Sequence, residues 1–289
     1  MKVGFLTGYS EEIVRFAGAD SSFDCLEISG PPSEWIGDSG EATIARQNAL
    51  SLIHQNSLTV ASFLINWPSI RTGQADLPNA LAQLSQVFDV CKEMDDAVAT
   101  GAGPMGYNPE INLEENIALY KAVYSHVAGL AEDKGVKIGF ENWPGGGGPF
   151  SDGGNLAVTP EAWGLMFEAV PSPVMGLEFD PSHLIWQGID AHLALDEFSD
   201  RVHIVHAKDT EVFDDRVQRS GVFRRGGWWR YRLPGFADFD WQRFFAMCHE
   251  RQIDCPVVIE HEDAVFSGDR RPEGFTRCGV FLRSCLLQN

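Results

Sequence analysis

The segment "VHIVHAKD" (residues 202–209) begins as an apolar run typical of a buried β-strand and ends in three titratable side chains, those of His206, Lys208 and Asp209. Burying a charged group is unfavourable, so a core strand ends this way when its last residues reach a site that needs them. If other strands of the same sheet end in the same manner, their ends locate that site.

Eight apolar runs of this kind occur along the chain. They are "VGFLTG" (3–8), "FDCLEIS" (23–29), "TVASFLIN" (59–66), "AVATGAG" (97–103), "KIGFENW" (137–143), "VMGLEFD" (174–180), "VHIVHAKD" (202–209) and "VVIEHED" (257–263). Their alternation with helical segments predicts one α/β domain over residues 1–289, folded as a (β/α)8 TIM barrel. A doubly wound open sheet is the alternative, but "TGYSEE" after the first strand lacks the G-x-G-x-x-G phosphate turn usual there.

Apolar residues recur at helical spacing between these strands, for example from Leu81 to Cys91, from Ile117 to Val127 and from Trp241 to Cys248. Thr159 followed by Pro160 predicts a helix start, because Thr caps a helix N-terminus and Pro fits its first turn.

Composition narrows the function classes. The chain has 289 residues, 44% of them hydrophobic, and a formal net charge of −19, which disfavours nucleic acids and anionic membranes as partners. No 18-residue apolar span is present, and the first residues lack the apolar run of a signal peptide.

The six cysteines are scattered and form no C-x-x-C pair, so we expect reduced core thiols in a cytoplasmic protein. Homo-oligomer formation is left open.

Four consecutive strand ends carry ligand-type residues. Side chains alternate along a strand, and this parity puts Glu141, Asp180, His206 and Glu260 at the carboxyl ends of strands five to eight. These ends are neighbours on the rim where barrel enzymes build their active sites. The donor set of three carboxylates and one imidazole suits one divalent ion, with Mn²⁺ first and Mg²⁺, Co²⁺ or Zn²⁺ as alternatives.

Each of these residues also has an ordinary structural interpretation. His206 alone would more often bond to a carbonyl, Asp180 before a proline would cap a turn, and Glu141 and Glu260 would pair with Arg or Lys. Four consecutive strands are not expected to end in ligand types by chance, so the set as a whole favours a metal site.

Four blocks of the sequence resemble the xylose-isomerase-like barrel superfamily, and within it the proteins named sugar phosphate isomerase/epimerase. The blocks are "GLEFDPSHLIWQGID" (176–190), "VHIVHAKDT" (202–210), "GWWRYRLPGFADFDW" (227–241) and "VVIEHED" (257–263). The resemblance implies the barrel fold and the same four metal ligands. Members of this superfamily include ketose 3-epimerases, hydroxypyruvate isomerase, inosose dehydratase, endonuclease IV and enzymes acting on 3-keto-glycosides.

The sequence departs from that pattern at three positions. Val212 stands where ketose 3-epimerases carry an arginine, Trp143 replaces a smaller residue, and Glu178 replaces a polar amide. These changes are expected to reshape the pocket, so the substrate is not inherited from the resemblance.

The site predicts chemistry next to a carbonyl. A metal that chelates a carbonyl and its neighbouring hydroxyl stabilises an enediolate, while Glu141 and Glu260 act as acid and base from opposite sides. Proton return to the opposite face gives epimerisation, return to the adjacent carbon gives isomerisation, and loss of a β-hydroxyl gives dehydration.

Further residues are candidates for contact with a small, sugar-like substrate. His183 is expected to meet substrate oxygens or transfer a proton, or else to be a loop histidine. Lys208 either binds a hydroxyl or forms an ion pair without substrate contact. The remaining candidates are Trp143, Asn66, Trp229, Arg230 and Glu27.

The long segment 210–240 between the last two strands is expected to be functional, because structureless loops of this length are uncommon in barrels. We interpret it as a lid in which Trp228, Trp229 and Tyr231 cover a sugar face and Arg230 or Arg232 meets an anionic group. The alternative is that its aromatic residues pack on the rim or on a second subunit.

The leading hypothesis is therefore a metal-dependent isomerase or epimerase of keto-sugars or related polyols, and a lyase on the same scaffold is the alternative. Endonuclease IV, another member of that superfamily, holds three zinc ions with many more histidine ligands, whereas only His183, His206 and His261 of the eight histidines here lie close to the ligand positions. With the net charge of −19, a nuclease of this kind is the unlikely alternative. A sugar-binding or subunit-interaction protein without turnover does not explain the complete ligand set.

Overall fold

Eight parallel strands close into a barrel in the computed structural model, which describes residues 1–222 and 226–286. The barrel strands are β1 (Val3–Thr7), β2 (Cys25–Ile28), β3 (Thr59–Leu64), β4 (Val98–Ala102), β5 (Ile138–Glu141), β6 (Met175–Phe179), β7 (Val202–Ala207) and β10 (Val257–Ile259). Each strand pairs with its sequence neighbours, and β10 closes the ring between β7 and β1. The predicted TIM barrel is confirmed.

Ten α-helices accompany the strands in the described residues. They are α1 (Glu11–Gly18), α2 (Gly40–Gln55), α3 (Leu77–Glu93), α4 (Leu113–Lys134), α5 (Pro160–Ala169), α6 (Pro181–Ile185), α7 (Ala191–Glu197), α8 (Asp214–Ser220), α9 (Trp241–Glu250) and α10 (Arg271–Cys285). The three predicted apolar stripes lie in α3, α4 and α9, and α5 starts as predicted, with Thr159 accepting a hydrogen bond from the Ala162 N–H. None of the described helices combines the length and the apolarity needed to cross a bilayer.

Two apolar regions form the core. The larger fills the space between the sheet and the surrounding helices. The smaller lies inside the barrel and contains Cys25, Ala61, Ile204 and Val258. Because side chains two apart on a strand share a face, the next inward residues after Cys25, Ile204 and Val258 are Glu27, His206 and Glu260. The apolar interior therefore supports a polar layer at the carboxyl end of the barrel.

All six cysteines are free, and five of them are buried. Burial raises the pKa of Cys25, Cys91 and Cys248 to about 12. These thiols are therefore protonated and pack in the core, in agreement with the predicted reduced core cysteines.

The insertion after β7 contains an antiparallel hairpin that the sequence did not reveal. Strands β8 (Asp209–Val212) and β9 (Trp229–Arg232) form it, with α8 between them. Alternation along β9 places Trp229 and Tyr231 on one face of the hairpin and Arg230 and Arg232 on the other. Residues 223–225 of the predicted lid lie outside the described residues.

Asp209 anchors the start of this hairpin under α9. Its side chain is fully buried and accepts hydrogen bonds from the Thr210 N–H at 2.7 Å and the Trp241 Nε1–H at 3.4 Å. Burial raises the pKa of Asp209 to about 7 despite these donors. Because the folded state holds this proton more tightly than the unfolded chain, Asp209 lowers stability as pH rises from about 4 to about 7.

We expect the free energy of unfolding of the wild-type protein to fall between pH 5 and pH 8. In Asp209→Asn the titrating proton is absent, so we expect the decrease over the same pH range to be smaller by on the order of 2 kcal/mol. Urea unfolding of both proteins at the two pH values measures this difference. A fall of the same size in both proteins would contradict the assignment.

Candidate active site and metal centre

Four side chains converge at the carboxyl end of the barrel. Glu141 ends β5, Asp180 follows β6, His206 lies near the end of β7, and Glu260 follows β10. One ligand atom from each lies within 4.8 Å of the other three. Asp180 and His206 are fully buried, and Glu141 is buried too. The residues that the sequence selected for a metal site thus form one cluster, which we call the four-ligand set.

Asp180 has two roles, one for each carboxylate oxygen. Oδ1 accepts the Ser182 N–H at 2.8 Å and caps α6. Asn142 fixes the Asp180 backbone through both its side-chain amide atoms, at 2.9 Å each. Oδ2 is buried, makes no hydrogen bond and faces the cluster. It faces Lys208 Nζ at 3.2 Å and His183 Nε2 at 3.3 Å. A buried carboxylate oxygen that makes no hydrogen bond is suited to a cation, so the site fits a divalent metal ion.

His206 presents its two ring nitrogens to different layers. Nδ1 lies 3.3 Å from Glu141 Oε1 and 3.3 Å from Glu260 Oε2. Nε2 lies 2.7 Å from Glu27 Oε2 and 2.9 Å from Glu178 Oε1. Nδ1 is therefore the nitrogen placed to bind a metal ion at the four-ligand set, and Nε2–H donates to Glu27 and Glu178. Metal-binding histidines are commonly held by a carboxylate in this way.

The protonation of His206 is set by opposing effects. Burial lowers its pKa, but the charges of Glu178, Glu27 and Glu260 overcome burial and hold the pKa well above its ordinary value. The ring is therefore an imidazolium in the metal-free protein. A metal that binds at Nδ1 must displace that proton.

Glu27 and Glu178 form a second layer beneath the four-ligand set, and both are fully buried. Glu27 Oε1 accepts the Thr100 hydroxyl at 2.5 Å, and Glu178 Oε2 accepts the Gly101 N–H at 3.1 Å. Gly101 has φ +133°, and a Cβ there would lie 2.4 Å from Ile65 O, so only glycine suits this position. Burial raises the pKa of Glu178 well above its ordinary value, and the charge of Glu27 raises it further.

Sequence reasoning missed the function of this layer. It treated Glu27 as a substrate contact and Glu178 as a departure from a family pattern. The signal that could have found both is their inward parity, because Glu27 follows Cys25 and Glu178 follows Gly176 on the inner face of the barrel.

We expect Glu27→Gln to lower metal affinity by about 10–100-fold, because the amide is a weaker acceptor for the His206 Nε2–H and no longer fixes the ring. Isothermal titration of the metal-free protein with Mn²⁺ measures this. Glu178→Gln is the matched control: burial and the Glu27 charge raise the pKa of Glu178 and so disfavour its charged form, and we expect its amide to change affinity by less than the Glu27 variant does. Equal effects of the two variants would contradict the assignment of Glu27.

Lys208 supplies positive charge beside the four-ligand set. Its buried ammonium contacts Glu260 Oε2 and lies 2.9 Å from Glu262 Oε2 and 3.2 Å from Asp180 Oδ2. Burial lowers its pKa, but these carboxylates and Glu141 raise it well above its ordinary value. Lys208 thus forms the ion pair that the sequence left as one of two alternatives, and it neutralises part of the cluster in the absence of a metal.

His183 links the cluster to the hairpin. Its Nε2 lies 3.3 Å from Glu141 Oε1 and 3.3 Å from Asp180 Oδ2, and Lys208 Nζ lies 3.3 Å away. Its Nδ1 lies 2.8 Å from the Tyr231 hydroxyl. His183 and Tyr231 therefore form a polar pair able to pass a proton at the edge of the site.

Glu141 and Glu260 are both ionised. Burial raises the pKa of Glu141, but hydrogen bonds from His183 and His206 hold it well below its ordinary value. Burial also raises the pKa of Glu260, and the Lys208 charge lowers it below its ordinary value. Both carboxylates are thus in the form that accepts a proton.

The other predicted contact residues lie in three places. Trp143 and Trp229 line one cavity beside the site. Asn66 lines a separate cavity near the ends of β2 and β3. Arg230 pairs with Glu211 at 2.5 Å on the outer face of the hairpin. The structure therefore groups His183 and Lys208 with the four-ligand set, and leaves Asn66 and Arg230 away from it.

Sequence comparison finds relatives over about half of the chain. It is 31% identical to the uncharacterized protein YfiH of Bacillus subtilis over 160 residues, which are 52% of this chain and 47% of that protein. It is 25% identical to an inosose dehydratase of Clostridium perfringens over 139 residues, 46% of this chain and 43% of that protein. The aligned segments span less than half the length of these relatives.

Structure comparison extends over the whole chain. The D-psicose 3-epimerase of Clostridium cellulolyticum H10 superposes with a TM-score of 0.75 and 15% identity, covering 100% of both chains. At 15% sequence identity, this structural similarity shows only that the two proteins share a fold. The xylose isomerase-like TIM barrel family matches residues 17–278. This chain therefore belongs to the xylose isomerase-like TIM barrel family.

Proposed function

We propose that the protein is a divalent-metal-dependent isomerase or epimerase that acts next to the carbonyl of a keto-sugar or related polyol. The observation that carries this proposal is the placement of two ionised carboxylates, Glu141 and Glu260, each 3.3 Å from His206 Nδ1. They come from strands on opposite sides of β6 and β7, so they reach a ligand at the cluster from two directions.

A divalent cation, Mn²⁺ as our first choice, held by Glu141, Asp180, His206 and Glu260 would polarise the substrate carbonyl and stabilise the enediolate. One of the two glutamates takes the proton from the carbon beside the carbonyl. The other takes up a proton from solvent and gives it to the opposite face of the same carbon, which inverts it, and the first glutamate then returns its proton to solvent. Return of the proton to the neighbouring carbon exchanges carbonyl and hydroxyl instead. Acid–base help of this kind contributes about 10²–10⁴ in rate.

A lyase is the second candidate, and the His183–Tyr231 pair favours it. In a dehydration, the β-hydroxyl leaves as water and needs a proton from a nearby acid. The Tyr231 hydroxyl and the Lys208 ammonium both lie beside His183 at the edge of the site. The sequence likeness to an inosose dehydratase also supports this alternative.

A panel of keto-hexoses and keto-inositols in D₂O tests the proposal. With Mn²⁺ we expect deuterium to enter the substrate at the carbon beside the carbonyl, with mass otherwise conserved, and activity to vanish with EDTA and return with Mn²⁺. Loss of water in the product would select the lyase. Turnover that persists without any metal would contradict both candidates.

A further inference from the structure

Asn155 lies in the loop between β5 and α5, 14 residues after Glu141, and has no part in the chemistry described so far. Its side chain is fully buried. The Nδ2–H groups donate to the backbone carbonyls of Glu141 at 2.8 Å and Trp143 at 2.9 Å, and Oδ1 accepts the Ala157 N–H at 2.8 Å. Asn155 therefore holds the end of β5 against the returning part of the loop.

Asn142 stands between the two carbonyls that Asn155 binds, and its own side chain reaches the neighbouring strand. This side chain is also fully buried. Its Nδ2–H donates to the Asp180 carbonyl and its Oδ1 accepts the Asp180 N–H, each at 2.9 Å. Asn155 and Asn142, which we call the amide clamp, thus connect the chain at Glu141 with the chain at Asp180, and both of these residues belong to the four-ligand set.

The amide clamp acts where the sheet no longer does. The register of β5 and β6 ends with the pair Glu141 and Glu178, and Asp180 lies beyond it. Ladder hydrogen bonds therefore do not fix how far Asp180 stands from Glu141. Buried polar groups that satisfy one another make a structure more rigid. The clamp thus supplies the connection between the two ligands that the ladder lacks.

The loop around Asn155 is also held by backbone hydrogen bonds. The Gly106 N–H donates to the Gly154 carbonyl at 2.8 Å, and the Leu156 N–H donates to the Pro104 carbonyl at 2.8 Å. These bonds do not use the Asn155 side chain, so the loop should stay in place when that side chain is changed. The specific consequence of its loss is a looser end of β5.

We propose that Asn155 is a positioning residue for the metal centre. Acting through the backbone of residues 141–143 and through the Asn142 side chain, it sets the spacing between the carboxylates of Glu141 and Asp180. Groups behind the ligands that fix their orientation increase the affinity of a metal site. The inference concerns metal binding and goes beyond the proposed reaction, since no substrate takes part in it.

Asn155→Asp tests this role. Its carboxylate still accepts the Ala157 N–H, but it has no N–H group for the carbonyls of Glu141 and Trp143. We expect the affinity of the metal-free protein for Mn²⁺, measured by isothermal titration, to fall by about 10–100-fold. Asn155→Ala, which introduces no buried charge, should show a fall in the same range, and thermal melting of each variant checks its fold.

Asn116 provides the matched control. It is a fully buried asparagine whose Nδ2–H groups donate to the carbonyls of Asn108 at 3.0 Å and Asn112 at 2.9 Å, and whose Oδ1 accepts the Asn108 N–H at 2.8 Å. None of these residues belongs to the four-ligand set. Asn116→Asp and Asn116→Ala lose the same kind of hydrogen bonds, and we expect both to bind Mn²⁺ within about twofold of the wild-type protein.

Amide hydrogen exchange in the metal-free protein, followed by NMR, tests the connection itself. The Asp180 N–H is bonded to Asn142 and has no contact with Asn155. Both Asn155 variants should nevertheless raise the exchange rate of this N–H by about tenfold or more, because the end of β5 opens more often. The Asn116 variants should leave it unchanged.

Equal losses of Mn²⁺ affinity in the Asn155 and Asn116 variants would overturn the inference, and so would unchanged exchange at Asp180 in the Asn155 variants. Neither measurement uses a keto-sugar. Failure of the proposed reaction therefore leaves the role of Asn155 standing, and failure of that role leaves the proposed reaction standing.

Discussion

Glu260→Gln is expected to abolish turnover of a keto-sugar, with kcat reduced by at least about 10²–10⁴-fold. The substitution removes one of the two carboxylates beside His206 Nδ1 and one member of the four-ligand set. It also removes one of the three carboxylates that contact Lys208. Since the amide has nearly the same shape, the barrel should remain folded, and circular dichroism with kinetic assays at saturating Mn²⁺ checks both expectations.

Glu262→Gln provides the comparison. Glu262 lies two residues further along, contacts the same Lys208 at 2.9 Å and is half exposed, but it is outside the four-ligand set. We expect this variant to keep activity within a few-fold of the wild-type protein. Retained activity in Glu260→Gln would exclude Glu260 as ligand and as base.

Lys208→Met is expected to lower the free energy of unfolding of the metal-free protein by about 3–5 kcal/mol, because it leaves buried carboxylates without their cation. Lys208 Nζ is almost fully buried and lies 3.2 Å from Asp180 Oδ2, which has no hydrogen bond. Mn²⁺ should recover much of this loss, since it neutralises the same oxygens. Urea unfolding with and without Mn²⁺ measures both quantities.

Lys92→Met is the matched control. Lys92 pairs with Asp96 at 2.5 Å, but both side chains are more than half exposed. Exposed pairs contribute less than about 1 kcal/mol, and we expect this variant to unfold almost as the wild-type protein does, with or without metal. If Lys208→Met lost no more stability than Lys92→Met, Lys208 would have no part in neutralising the cluster.

The barrel and its rim residues could be predicted from the chain because both depend on local patterns. Apolar runs alternating with helical stripes gave the eight strands, and parity along each strand gave the inward direction of Glu141, His206 and Glu260. The helix start at Thr159 followed from capping chemistry. The β8–β9 hairpin escaped prediction because β8 is only four residues long, mostly polar and almost continuous with the β7 run, so it shows no strand pattern of its own.

The sequence by itself determined which residue types end the strands and on which face of each strand they lie, because alternation along a strand is a property of the local backbone. Only the tertiary structure decided which of those residues meet. Barrel closure brings Glu27 of β2 to 2.7 Å from His206 of β7, although they are 179 residues apart in the chain. The same closure pairs Lys208 with Asp180 and Glu260, and the hairpin carries Tyr231 to His183. Distances of this kind depend on how strands and loops pack around one axis, which no local pattern encodes.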